Sequence, residues 1–170
     1  MVTLGLDAST TCVGYAFTKD KKILDMGFID IKKEKTPKEK VFKVLDFLNK
    51  HKFIDDVFNI NVEDNLSGFA GGRTSQQVIV KLAKFNAVLC FVLEDMLEME
   101  VHNINPMTAR KNVFGKARVK GIKAKDFVKE EIEKRFKTKK WCKKTKTGLW
   151  DKRNIDAYDG LVMSLFENKS

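Results

Sequence analysis

Four carboxylates, Asp7, Glu63, Asp156 and Asp159, stand where an acid is costly unless a cation needs it. Asp7 ends the apolar run Val2-Thr3-Leu4-Gly5-Leu6, and Glu63 ends a second β-rich run, Val57-Phe58-Asn59-Ile60-Asn61-Val62. Both runs read as strands with an acid at the end. Asp156 and Asp159 lie three apart in NIDAYDGLVMSLF, which reads as a helix, so they share a face. Asp159 also shares a stripe with Ile155, Val162 and Phe166, the side that a helix turns to the core. A carboxylate buried there without a partner is expensive or takes up a proton, and divalent metal is the compensation that suits all four.

The donor chemistry narrows the metal. Cys12, Cys90 and Cys142 are odd in number and far apart, which gives neither a disulfide framework nor zinc-ligand spacing. His51 and His102 are equally isolated. Oxygen ligands alone favour magnesium, with manganese able to substitute. Two such ions, about 3.5–4 Å apart, can activate a water and stabilise the attacking and leaving oxygens of an in-line displacement at phosphorus, which is phosphodiester hydrolysis. Each acid taken alone has a blander reading. An aspartate at a strand end is often a turn former, and Asp156 would also stabilise the N-terminal half of its helix through the dipole. Asp64 alternates to the other side of its strand from Glu63, as a solvated or supporting group.

The charge distribution points to the substrate. The chain of 170 residues carries +10, but residues 1–109 contribute −1 and residues 154–170 contribute −2. Residues 110–153 hold 18 Lys and Arg against 5 Asp and Glu, so this one segment carries the whole excess. Val113, Phe114, Val119, Ile122, Phe127, Val128, Ile132 and Phe136 interrupt the charges, as they would in a folded basic face and not in a low-complexity tail. Such a face binds a polyanion, and nucleic acid is its commonest partner.

The elements that must position these groups follow from periodicity. Strands are expected at 2–8, 13–19 and 23–32, joined by connections so short that only hairpins fit. Thr36-Pro37 then starts an amphipathic helix with Val41, Val44, Leu45 and Leu48 on one face, ending near Lys50. A strand from Asp56 to Val62, reached through that helix, is expected to run parallel to the first. A glycine-rich loop, Asn65 to Gly72, leads into a long helix from about Thr74 to Met99 that is apolar on more than one side, either buried on all of them or offering one to a partner. A fifth strand at 100–104, a short helix from Pro106, a basic helix over 122–136, a mobile loop from Lys137 to Trp150 and the final acidic helix complete the chain. The sum is one α/β domain spanning 1–170, a mixed sheet covered by helices, with Asp7 and Glu63 at one edge and the basic segment at 110–153. No stretch approaches the ~20 apolar residues of a membrane span, and no signal-peptide layout opens the chain, so a cytoplasmic protein is expected.

Three segments carry a family resemblance. The opening TLGLDASTTCVGYAF, the NVED strand end followed by a glycine-containing loop and long helix, and the closing NIDAYDGLVMS resemble RuvC-type Holliday junction resolvases of the ribonuclease H-like nuclease superfamily. The match runs in order over nearly the whole chain. The resemblance implies a five-stranded mixed sheet, three antiparallel strands followed by parallel ones, flanked by helices. It also implies magnesium-dependent incision and a homodimer that places two active sites on a four-way DNA junction. The family's catalytic, metal-binding acids carry over onto Asp7, Glu63, Asp156 and Asp159, and its functional lysines onto Lys111 and Lys123 as the nearest matches. Arg73, Lys111, Lys116, Arg118, Lys120, Lys123 and Lys125 are expected to hold DNA.

The chain departs from the family in two places. Where bacterial members set an aromatic residue that stacks on bases, this chain has Leu66, with Phe69 three residues on as the candidate for that role or as a buried anchor of its loop. The lysine-rich stretch Lys137 to Lys146 is longer than in typical bacterial members, and the compact form looks more like phage-encoded ones, which would place it in the host cytoplasm. A nuclease directed to flaps or forks and a junction-binding protein without catalysis are the alternatives, the second opposed by retention of all four acids. LDASTTCVGYA also resembles the first phosphate loop of the actin, Hsp70 and sugar-kinase ATPases, but those need a second domain for which 170 residues leave no room.

Overall fold

The computed structural model describes residues 1–64 and 75–167. Leu66, Phe69 and Arg73 lie outside the described residues. The chain opens with β1 (Val2–Ala8), β2 (Cys12–Lys19) and β3 (Lys22–Asp30), followed by helix α1 (Pro37–Asn49) and β4 (Val57–Glu63). Helix α2 (Gln76–Leu97), β5 (Val101–Ile104), α3 (Pro106–Phe114), α4 (Ala124–Arg135) and α5 (Asn154–Leu165) complete it. One turn of 3-10 helix, Ile54–Asp56, precedes β4 and has no signature in the hydrophobic pattern. The five strands form one sheet in the order β3-β2-β1-β4-β5. The β1–β2 and β2–β3 pairs are antiparallel, and β1–β4 and β4–β5 are parallel, as expected of this fold.

Local chemistry fixes the connections. The Ser9 side chain closes the β1–β2 turn, accepting from the Cys12 amide at 3.1 Å and donating to the Cys12 carbonyl at 2.8 Å. Asp20 and Lys21 both take positive φ, the geometry that a two-residue hairpin loop needs to match the twist of its strands. Helix α1 begins with a capping box, in which Thr36 accepts from the Glu39 amide while the Glu39 carboxylate accepts from the Thr36 amide.

Strand alternation splits the molecule into two cores. Leu4, Leu6, Val13, Phe17, Ile60 and Val62 face α1 and α2. Gly5, Asp7, Gly14, Asn61 and Glu63, the intervening residues, lie on the face covered by α5. Helix α2 is long and apolar enough to cross a membrane by length and composition, which corrects the expectation that no stretch comes close. Its apolar residues divide between two sides: Leu82, Phe85, Leu89 and Leu93 pack on the sheet, whereas Val80, Val88 and Phe91 are exposed, Phe91 by 69%. Helix α5 stops at Leu165, so Phe166 leaves the helical stripe expected for it and caps the end in extended conformation.

The approach of α5 to the sheet decides where the acids sit. A Cβ on Gly14 would lie 1.8 Å from the Asp156 carbonyl oxygen, and one on Gly5 would lie 2.2 Å from that of Gly160. Helix and strands therefore touch backbone to backbone. The far end of α5 is pinned from the sheet: Thr18 Oγ1 donates to the Ser164 carbonyl at 2.9 Å, and Asn61 Nδ2 donates to that of Met163 at 2.9 Å. Both carbonyls belong to the last turn, where a helix has no acceptor partners of its own.

Gly14→Ala is expected to force α5 off the sheet. Backbone cannot yield as a side chain can, so the cost lies at the upper end of the ~1–3 kcal/mol typical of overpacking, read as a lower urea midpoint. An unchanged midpoint would contradict the backbone contact.

Candidate functional site

Parallel pairing and helix docking converge on one edge. Leu6 of β1 is in register with Val62 of β4, so the next residue of each strand, Asp7 and Glu63, leaves the sheet side by side. Both alternate to the α5 face. The first two turns of α5 bring Asp156 and Asp159 against them: Asp156 lies behind Gly14, and Asp159 precedes Gly160, which packs on the same strand. Asp7 and Asp159 are buried, and Asp156 keeps 15% side-chain exposure.

The electrostatics are those of a crowded acid cluster. Burial raises the Asp7 carboxyl well above the usual range, and the charges of Glu63, Asp159 and Asp156 raise it further. Burial followed by the Asp159 charge pushes Glu63 up to about 8. Asp159 is raised for the same first reason, although Arg110 and Lys125 oppose it. Cys12 belongs to this neighbourhood too, its thiol pushed up by burial and then by the charge of Asp156. A thiol held that high is inert, in keeping with an incidental cysteine.

Two cations answer the four acids. Arg110 Nη2 of α3 lies 3.4 Å from Asp159 Oδ1, with only 12% of its side chain exposed, and Lys125 Nζ of α4 lies 3.1 Å from Asp156 Oδ1. Lys111 and Lys123, the nearest family matches for functional lysines, are exposed, and among the described residues neither pairs with an acid of the cluster. One helical position separates Arg110 from Lys111, which is enough to turn a side chain by about 100°. Lys123 stands at the N-cap of α4, outside the helix whose second position carries Lys125. The signal for both cations was present in the pattern. Arg110 lies three and four residues before Val113 and Phe114, and Lys125 lies three and seven before Val128 and Ile132, which is the stripe logic that singles out Asp159.

The other expected DNA contacts spread outward. Lys116, Arg118 and Lys120 are exposed on the segment between α3 and α4, with Lys116 reaching Glu131 at 3.7 Å and lying over the Phe127 ring. The loop from Lys137 to Trp150 is tied at several points. Asn154 Nδ2 donates to the Lys143 carbonyl at 2.8 Å and Asn154 Oδ1 accepts from the Lys143 amide at 2.9 Å, while Lys144 bridges to Trp150. Arg153 pairs with both Asp151 and Asp30, fixing the start of α5 to β3.

The residues present fit a hard divalent cation. Glu63 Oε2 and Arg110 Nε are buried with no hydrogen-bond partner among the described residues, so the cluster has an unused acceptor inside it. Every donor is a carboxylate oxygen, the type such ions take. Among the described residues no three His, Cys, Asp or Glu side chains form a ready-made cage, and the acids pair instead with Arg110 and Lys125. With all four acids ionised, as metal binding requires, the two positive charges would leave a deficit of two for the metal to answer.

The raised carboxyls set a direction for stability without metal. Glu63 keeps its proton in the folded chain to about pH 8, against an ordinary value of 4.5. Across that window the folded state holds a proton that the unfolded state has released, so stability falls as pH rises. Asp7 and Asp159 act in the same sense from 3.8 upward. In chelator, the thermal midpoint is expected to drop between pH 5 and 8, and to drop less in Glu63→Gln. A midpoint level or rising over that range in the unmodified protein would contradict the assignment.

No family model matches this sequence, and no curated protein matches it. Among solved structures, the chain is similar to the RuvC structure of Thermus thermophilus, at 14% identity and a TM-score of 0.60, over 96% of this chain and 91% of that one. It is similar to T. thermophilus RuvC in complex with Holliday junction substrate, at 12% identity and a TM-score of 0.62, over 96% and 90%. At these identities the likeness is one of fold. Over nearly its whole length the chain carries the fold of the RuvC Holliday junction resolvases.

Proposed function

We propose that this protein is a magnesium-dependent, structure-selective endonuclease that hydrolyses phosphodiester bonds in branched DNA, with four-way junctions as the preferred substrate. The observation that carries the proposal is the convergence of Asp7, Glu63, Asp156 and Asp159 at one sheet edge, where Arg110 and Lys125 of the basic segment meet Asp159 and Asp156. A neighbour of the same fold was solved with a Holliday junction substrate, which supports the choice of branched DNA.

The four acids would hold the magnesium ions, manganese being an alternative. Bound ions of this kind activate water and neutralise charge at a reacting phosphate. Arg110, held in place by Asp159 and largely shielded from solvent, is placed to steady negative charge that grows on the phosphate during cleavage. Lys125 sits between the acids and solvent, with 64% of its side chain exposed, so it can exchange Asp156 for a phosphate oxygen when DNA enters. Lys116, Arg118 and Lys120 would hold the backbone farther out without reading sequence.

A four-way junction presents two strands for incision, and one acidic cluster per chain serves one of them. The exposed Val80, Val88 and Phe91 on α2, interleaved with Lys84 and Asp95, would supply a face for a second copy. Phe91→Glu is expected to convert a dimer to a monomer by light scattering while leaving the thermal midpoint of the protomer nearly unchanged. If the variant remains dimeric, this face is not the interface.

The catalytic claim is tested with labelled four-way, three-way, forked and linear DNA in magnesium, manganese or chelator. Paired symmetric nicks confined to the four-way substrate are expected, with Asp7→Asn binding the junction but leaving it uncut. Equal cutting of forks or flaps would assign a broader branch nuclease. Binding without incision under any metal would reduce the protein to a junction-binding module.

A further inference from the structure

One residue along α5 from Asp159, Tyr158 lines a second concavity of about 840 Å³ that the acidic cluster does not use. The C-terminal end of α4 and the segment up to Trp150 enclose it. Phe136 and Trp150 supply aromatic surface over the buried Tyr158, and Lys137, Lys140 and Lys144 stand along its lining. At its base the Tyr158 hydroxyl donates to Glu133 Oε1 at 3.2 Å and meets the Thr138 hydroxyl at 3.0 Å and the Cys142 thiol at 3.2 Å. The volume falls within the range of sites that bind small organic ligands.

The distribution of chemistry inside it is uneven. The Glu133 carboxylate repels a phosphate, whereas the lysines around it attract one. Aromatic rings suit a flat apolar group, and the Glu133, Thr138 and Cys142 atoms can satisfy polar edges of that group. Lys129 lies over the Trp150 ring at 4.5 Å and Lys140 over the Trp141 ring at 3.9 Å, so both indoles already receive cations on their faces. Aromatic surface interleaved with lysine is the composition that binds single-stranded nucleic acid through stacking and backbone charge.

We infer that this cavity receives one unpaired nucleotide of the DNA substrate, with its base against Trp150 and its phosphate on the surrounding lysines. The inference rests on the DNA reading above and adds a subsite to it. Its position is set by α4, which joins the two places: Lys125 reaches Asp156 at one end and Glu133 reaches Tyr158 at the other. The rise between those residues is about 12 Å. The occupant is therefore a nucleotide close along the strand to the cleaved phosphate, and the enzyme would favour branches that can free a base there.

Trp141 and Trp150 are the only tryptophans in the chain, so intrinsic fluorescence reports on this region. The test titrates the unmodified protein in chelator with a single-stranded oligothymidylate, with an abasic strand of the same length and with linear duplex, following tryptophan emission and the anisotropy of labelled DNA together. The oligothymidylate is expected to quench emission, and the abasic strand to bind roughly tenfold more weakly with little quenching. Trp150→Leu should lose the quench and the tenfold preference while binding duplex normally, and Trp150→Phe should restore the preference. Equal affinity and quenching for the abasic strand would overturn the base pocket, and this comparison needs no variant. Duplex binding with no tryptophan response to either single strand would also overturn it, leaving the DNA reading intact. Failure to bind DNA of any form would bring down the DNA reading and the subsite together.

Discussion

The contact on which the rest of the molecule depends is the backbone-to-backbone approach of α5 to the first two strands. Gly5, Gly14 and Gly160 remove the side chains that would otherwise hold a helix about 10 Å from a sheet. Four acids from three elements can then share one small volume, which a helix standing at ordinary distance on side-chain layers would not achieve. The cost is electrostatic, and it shows in the raised carboxyls of Asp7, Glu63 and Asp159. Thr18 and Asn61 offset part of it by holding the far end of the helix, so that repulsion at one end is resisted by hydrogen bonds at the other.

The two faces of the sheet divide the work. The face under α1 and α2 is a conventional apolar core in which Leu4, Leu6, Phe17, Ile60 and Leu89 are fully buried. The face under α5 carries glycine, asparagine, threonine and acid, with Ala16 and Met26 as its buried apolar residues. Its stability comes from the outer ring of Phe114, Phe127, Val128 and Ile132 on α3 and α4, the same elements that supply Arg110 and Lys125. Packing and charge compensation on that side therefore come from one source. A change that loosens α3 or α4 also withdraws a cation from the acids.

Much of this was legible from residue order. Strand alternation put Asp7 and Glu63 at sheet ends, and the apolar stripe around Asp159 marked it as buried. Periodicity placed every regular element except the single 3-10 turn at Ile54–Asp56, which is too short to have a period. What was not legible depended on geometry across the chain. Nothing in the local pattern says that Gly14 faces Asp156. The choice of Arg110 over Lys111 turned on the angle at which α3 meets α5, which a count of lysines does not contain. The loop from Lys137 to Trp150 reads from sequence as untethered because the groups that hold Cys142 and Lys143, Tyr158 and Asn154, belong to the next helix.

The pinning of α5 also has a consequence for the order of assembly. Thr18 and Ser164 are separated by 146 residues and Asn61 and Met163 by 102, so the helix is held by some of the most distant pairings that the chain makes. Contacts of such separation repay their loop-closure entropy late. The sheet and its α1–α2 face can form before Asp156 and Asp159 arrive, with Asp7 and Glu63 still open to water. The sheet carries the Asp7–Glu63 repulsion from the start, and the further repulsion from Asp156 and Asp159 is deferred to the docking of α5.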